Sequence, residues 1–449
     1  MTRDLFEMGK GPHSETKAVA PTTKSTKQTA KNRMTIAQFS DEAFDFARFW
    51  NRAFHTLGFP SSNEERVLRV TTSFPTTCSP LQALKAALKR AKHLACCAVV
   101  ESSAMPKSID LLSMYLASPC KPDHGFCFQG SKCFIHGTSC ATPSKVDVFW
   151  ASAIDVDNAA SNIIACKAKV AILHVPDSCA DFMTNLSSRV PAGWSVAMDQ
   201  VHPMQFGLPL AVDALCGVVF AAHGATSANE ILEHFQKLKS NVVSRAHVFL
   251  ASPDSAAYRG YEESVKLQAA QQAAQNLGDD DGKYLTVRDQ HILHWKKQGA
   301  LPLDFHPPAE RLFPMHYAAV LGEKRIGKVE AFALMSRYAL AQADGRHCFV
   351  DAGSMSSLVH LDGSLPALKC SSLILHSERQ SEGKFAHHLL SPTELLATKG
   401  YAVGTINLSL LGKRACSTAC AEAVELPMAA SALCAAICWI RKAASSSSG

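Results

Sequence analysis

VLRVTTSFPTTCSPLQALKAALKRAKHLACCAVVE, residues 67–101, sets the architecture of this chain. A short apolar run at 67–70 precedes an amphipathic stretch at 79–94, and a second apolar run follows at 94–101. Ser79 stands at the N-cap position of the middle stretch and Pro80 at its first turn, so that stretch is predicted to be a helix. Strand, helix and strand in this order predict parallel strands joined by a crossover. VAILHV (170–175) and ALCGVVFAA (214–222) continue the pattern and are apolar enough to be buried on both faces. The expected fold class is α/β, with helices on both faces of a parallel sheet.

The bulk composition agrees with a folded protein. The 449 residues are enough for two or three domains, or for one large α/β domain with an insert, and 47% hydrophobic with 19% charged residues is a globular balance. The net charge of +6 is concentrated before Ser40, where Lys10, Lys17, Lys24, Lys27, Lys31 and Arg33 face Glu15 alone. A nucleic-acid groove on the remaining body would have to come from charge asymmetry rather than from excess. The first residues, MTRDLFEMGKGPHSETK, contain no apolar core of a signal peptide, so the chain is not expected to be secreted. Its 16 cysteines then read as reduced thiols in a nuclear or cytoplasmic compartment. Leu426–Ile440 is the most apolar stretch; its 15 residues are too few to span a bilayer and predict a buried helix.

Composition also divides the chain. Residues 1–40 read as a disordered basic tail, and aromatic residues at helical spacing predict a helix over 41–56. Residues 41–222 carry the alternating pattern and 223–385 read as an inserted lobe. Within the lobe, 261–278 is a strong helix former stopped by Gly278 and followed by an acidic turn, Asp279 to Asp281. Residues 386–442 return to the first pattern and 443–449 read as a disordered tail. In the return segment, Ser391, Pro392, Glu394 and Gly400 delimit a capped helix, and a last helix starts near Leu426.

Chemistry concentrates at CFIHGTSCATPS, residues 133–144, where a strand end runs into a turn that carries Cys140. Such a turn exposes a thiol at the carboxyl edge of a parallel sheet. One cysteine taken alone is more often an inert buried residue. What singles out Cys140 is the order of the segments around it. GTSCATPS resembles the nucleophile motif of the cytosine-C5 methyltransferases, with Ser139 where proline is usual. AKVAILHVPDSCADFMTNL (168–186) is similar to the family segment whose strand ends in Glu-Asn-Val, and VHPMQFGLPLAVDALCGVVF (201–220) to the one that leads into a Gln-x-Arg-x-Arg strand. GSLPALKCSSLILH (363–376), HHLLSPTELLATKGYAV (387–403) and AEAVELPMAASALCAAI (421–437) resemble the segments that close the target-recognition lobe and finish the sheet. RVTTSFPTTCSPLQALKAA (69–87) stands in the place of the cofactor loop, and ACCAVVESSA (95–104) in the place where a Glu follows the second strand.

The resemblance covers roughly 66–222 and 355–440. It implies a Rossmann-like, S-adenosylmethionine-dependent methyltransferase sheet with an inserted smaller lobe, acting on a cytosine flipped out of double-stranded DNA. It also implies Cys140 as the thiol that adds to C6 of the base, with Phe74, Glu101 and Glu422 beside S-adenosylmethionine. His174 then falls beside the base as a second catalytic candidate; read alone, it is a satisfied strand-end histidine. Several family groups are replaced. Leu173 and His174 stand where a glutamate is expected, Leu210, Val212 and Ala214 take the Gln and Arg positions, 71–79 contain no glycine, and Ala421-Glu422 replaces Gly-Asn. The resemblance therefore leaves open a relative that keeps the fold without the reaction.

Other chemistries are less well supported. Cys120, His124, Cys127 and Cys133 form C-x3-H-x2-C-x5-C, four soft ligands that could hold structural zinc, but in the spacing of no common finger, and no metal is expected. A dinucleotide-binding dehydrogenase would need Gly-x-Gly-x-x-Gly after a strand, which is absent. A Cys–His hydrolase through Cys140 with His136 or His174 has no other support in the chain.

Overall fold

The structure is a computed structural model. It describes residues 38–42, 56–57, 68–73, 97–102, 125–127, 130–133, 147–152, 156–175, 180–211, 216–240, 242–252, 254–273, 281–354, 359–369, 371–401, 417, 420–421, 423 and 425–446. Of the disordered tail expected at 1–40, residues 38–40 instead form a strand and 1–37 lie outside this set. The helix expected at 79–94, most of the one expected at 41–56 and the last three residues also lie outside it. Residues 443–446, expected in the closing tail, end a helix instead.

The early strands are β1 (Gln38–Ser40), β2 (Leu68–Ser73), β3 (Cys97–Ser102), β4 (Gly125–Cys127), β5 (Gly130–Cys133) and β6 (Val148–Ser152). Helix α1 (Val156–Cys166), β7 (Val170–Val175), α2 (Ala180–Arg189), β8 (Trp194–Val201), β9 (Leu210–Ala211), β10 (Cys216–His223) and α3 (Ser227–Gln236) follow. After β11 (Val242–Ser244) come α4 (Ala256–Ala273), α5 (Asp281–Lys297), α6 (Met315–Leu321) and α7 (Glu323–Ala343). The chain continues through β12 (His347–Asp351), β13 (Val359–His360), β14 (Leu365–Pro366), β15 (Ile374–Arg379) and β16 (Phe385–Leu389) to α8 (Pro392–Ala397) and α9 (Leu426–Ser446).

Eight strands form the main sheet, in the order β5-β4-β3-β2-β6-β7-β10-β8. Strands β4, β3, β2, β6 and β7 run parallel, as the strand-helix-strand pattern predicted. The chain moves outward from β2 to β3 and β4, then crosses back to lay β6 and β7 on the other side of β2. That reversal is a topological switch point. One expectation needs correcting: β10, read at 214–222 as a parallel strand, is antiparallel to both β7 and β8. Its apolar run reports burial on both faces, which does not encode direction. Among the described residues no helix of more than one turn separates β8 from β10, as suits an antiparallel pair.

The alternation of strand residues explains the layers. Val148, Trp150, Val170, Ile172, Val218 and Phe220 face α3 and α9 on one side. Phe149, Ala171, Leu173, Val175, Val219 and Ala221 face α1 and α2 on the other. Helix α9 is buried nearly all round from Leu426 to Cys438, which is why its sequence is so uniformly apolar. Among the described residues no helix is long and apolar enough to cross a membrane.

The insert has its own core. A four-stranded antiparallel sheet, β13-β12-β15-β16, packs with α7 and the neighbouring helices around Phe332, Val350 and Leu375. Helix α4 starts at Ala256, five residues before the expected 261, and Asp281 opens α5 instead of ending a turn. Strand β14 pairs in parallel with β9, joining two segments that are far apart in sequence.

Candidate functional site

The carboxyl edge of the main sheet is where a ligand is expected in an open sheet with a switch point. Strand β2 ends there at Ser73; Phe74, next in sequence, lies outside the described residues. Glu101 is the penultimate residue of β3, in register with Thr72; its side chain is outside the described set. His174 on β7 is in register with Ser152, the last residue of β6. In the strand order, β3 and β7 are separated by β2 and β6, so Glu101 and His174 are three strand spacings apart, about 14 Å.

Alternation decides which family position is usable. Leu173 is fully buried against α1 and α2, so a group there is sealed in the core. His174 lies on the opposite face, with Val170 and Ile172. Its Nε2 is buried and makes no hydrogen bond. Burial lowers its pKa; the Glu425 carboxylate acts against that shift and the Lys399 charge reinforces it. The imidazole is therefore neutral at neutral pH, and its Nε2 is a buried polar atom without a protein partner.

Lys399 and Glu425 were not picked out from sequence. Lys399 is 4% exposed, yet every donor on its ammonium is directed. Its Nζ donates to the carbonyls of Ala421 (2.9 Å) and Ala423 (2.5 Å) and lies 3.5 Å from a Glu425 oxygen. The amide of Leu426 in turn donates to the Lys399 carbonyl at 2.9 Å. Gly400, with φ +92°, makes the turn possible because a Cβ there would meet Pro427. This clamp ties Ala421, Ala423 and Glu425 to Lys399, close enough to His174 near the end of β7 for both charges to act on it. Glu422 is outside the described residues, but both of its neighbours are held by Lys399. The only sequence signal for Lys399 was a lysine placed between a capped helix and its closing glycine.

The capped helix itself is as expected. Ser391 Oγ accepts from the Glu394 amide, and Glu394 accepts from the Ser391 amide. Glu394 is fully buried and also takes the Ala251 amide (2.8 Å) and His388 Nε2 (2.9 Å). Burial would raise its pKa, but these contacts outweigh it and hold the carboxyl below its usual range.

Cys140 lies outside the described residues. It falls between β5, which ends at Cys133, and β6, which begins at Val148. This corrects the expected setting: the strand before Cys140 is the antiparallel edge strand of a hairpin. It runs toward the amino edge of the parallel strands, and β6 begins at that edge, not at the carboxyl edge where Glu101 stands. Of the zinc candidates, Cys127 and Cys133 sit on the two arms of that hairpin, whereas Cys120 and His124 are outside the described residues. Among the described residues no group of three or more side chains could hold a metal. Leu210, at one of the expected Gln and Arg positions, is 2% exposed and packs with Phe349, Leu365 and Ile374. Val212 and Ala214 are outside the described set.

Comparison with known proteins adds little. No family model and no curated protein matches the chain. Among solved structures, it is similar to M. capricolum TrmK in complex with the natural cofactor product S-adenosyl-homocysteine. That likeness has 8% identity and a TM-score of 0.25, over 55% of this chain and 96% of the other. At that score it carries no weight for fold or function.

Proposed function

We propose that this chain is a Rossmann-like, S-adenosylmethionine-binding methyltransferase of the cytosine-C5 type, acting on DNA. The observation that carries the reading is the switch point between β2 and β6. Of the three residues assigned to the cofactor from sequence, Glu101 is the penultimate residue of β3 beside β2, Phe74 follows the last residue of β2 in sequence, and Glu422 lies between two residues held by Lys399. A carboxylate after the second strand is suited to holding ribose hydroxyls. When bound, S-adenosylmethionine supplies the methyl group. The chain's own part is to hold the extruded base, bring the Cys140 thiolate to its C6 and take the C5 proton afterwards. His174 supplies a neutral hydrogen-bonding group where the family has a carboxyl, and the Lys399 clamp keeps the return segment beside it.

A second reading has its own support. Leu173 and Leu210, at positions where catalytic groups are expected, are core residues. That favours a relative that keeps the fold to bind DNA or a protein partner without transferring a methyl group. Two measurements on the full chain separate the readings: titration calorimetry with S-adenosylmethionine, and covalent trapping on duplex DNA containing 5-fluorocytosine. An adduct with wild type and none with Cys140→Ser supports the enzyme. Cofactor binding without an adduct supports the silent relative, and absence of both signals defeats the enzyme reading.

A further inference from the structure

Where the chain passes from the main sheet into the inserted lobe, three imidazoles form a column. His247 lies in the 246–249 turn between β11 and α4, His347 at the start of β12, and His376 on β15. The His247 and His347 rings stack at 4.1 Å with 9° between their planes. His347 Nδ1 is 3.1 Å from His376 Nε2, and the His376 ring stacks on Phe349 at 4.8 Å. Register explains the inner half of the column: Phe349 and His376 are cross-strand partners, and His347 and Phe349 share one face of β12.

The turn that carries His247 is also held by Ala246 and Leu250, which pack with Phe349 and Leu365, and by His247 Nε2, 3.5 Å from an Asp41 carboxylate oxygen. The Ala246 amide donates to the Gly363 carbonyl at 2.7 Å and the Arg245 amide to the Ser40 carbonyl at 2.9 Å. Arg245 also pairs with Asp41 at 2.8 Å. We propose that this column is a proton-sensitive latch, closed when its imidazoles are neutral and opened by acid, that seats the 245–250 turn on the lobe's sheet.

The chemistry is that of the imidazole. A hydrogen bond between two rings needs one nitrogen to donate and the other to accept; when both rings are charged, both nitrogens are donors and the bond is lost. Charging the stacked pair also sets two cations face to face. His247 Nδ1 is buried and makes no hydrogen bond, so a proton there would lack an acceptor. Every neighbouring charge enters the balance. Asp41 and Glu378 favour protonation of His247 and His347, whereas Arg245 opposes it at His247 and Arg346 at both. At His376, beyond burial, His347, His388, His247 and His387 all oppose it.

Burial is the largest cause at each ring and the net direction is downward: His247 is lowered, His347 is lowered to about 4, and His376 lies well below its ordinary value. The sign follows. The open turn takes up protons near the free-imidazole value of about 6.5 while the closed one rejects them, so closure is complete above that pH and weakens as pH falls.

Hydrogen–deuterium exchange on the full chain tests this, with rates corrected for intrinsic pH dependence. Between pH 7.5 and 5, peptides covering 242–251 should lose at least tenfold protection while those of α9 keep theirs. In His347→Phe, which keeps a ring in the stack but cannot be charged, and in His347→Gln, which keeps a hydrogen-bonding side chain, the pH dependence should flatten. Wild-type protection that does not change with pH overturns the proposal, and this test stands even if neither variant folds. A dependence that persists unchanged in both variants overturns it too, and points to His387 or to the His388–Glu394 pair instead.

Discussion

Replacing Lys399 by Met keeps an unbranched stem of similar reach and removes only the charged head. The structure shows what that head does: two carbonyls, of Ala421 and Ala423, and the Glu425 carboxylate have it as a partner. A hydrogen bond to a charged group contributes about 1.5–3 kcal/mol net. Removing one partner of a buried ion pair costs about 3–5 kcal/mol, because the other charge stays in the interior. These figures describe overlapping contacts, so they do not add, and the expected loss for Lys399→Met is about 3–5 kcal/mol. Urea unfolding followed by circular dichroism measures it. Because much of the loss is the stranded Glu425 carboxylate, Lys399→Met combined with Glu425→Gln should be more stable than Lys399→Met alone. The variant also has a local signature at His174. Lys399 is one of the groups that depress the His174 pKa and Glu425 opposes them, so losing the lysine moves that pKa upward. Histidine ring NMR across pH reads the direction. A stability change below about 1 kcal/mol, or a His174 pKa that stays or falls, would refute the clamp.

Two further substitutions test the surroundings of the site. Gly400→Ala places a Cβ 2.7 Å from Pro427 Cδ at a φ of +92°, and should cost about 1–3 kcal/mol in thermal or urea unfolding; a neutral outcome would mean the turn does not pack against α9 as described. Leu210→Arg puts a guanidinium at the family's Gln position, but among Phe349, Leu365 and Ile374. The expected cost is at least about 3 kcal/mol, and a stable variant that also gains DNA affinity in a filter-binding assay would show that Leu210 borders a groove rather than a core.

Much of the scaffold was legible because it depends on local signals. VAILHV predicted β7 to the residue, the Ser391–Glu394 box predicted the start of α8, and the apolar run from Leu426 predicted α9. The direction of β10 was not legible, since an apolar strand reports two covered faces and nothing about its neighbours. The site was less legible than the scaffold for a related reason. His174 was found through a resemblance, but its meaning depends on which face of β7 it takes. Alternation decided that it, and not Leu173, faces the return segment. Lys399 and Glu425 stay silent in a linear reading because a buried lysine and an exposed one have the same letter, and only the carbonyls of Ala421 and Ala423 tell them apart. The histidine column is the extreme case. His247, His347 and His376 come from three distant segments, and it is the β12–β15 register, together with a turn leading into α4, that stacks them. Local pattern thus fixes where strands and helices begin, whereas the groups able to bind, clamp or titrate are assembled by pairings between distant segments. The chemistry of this protein is therefore best tested at those pairings.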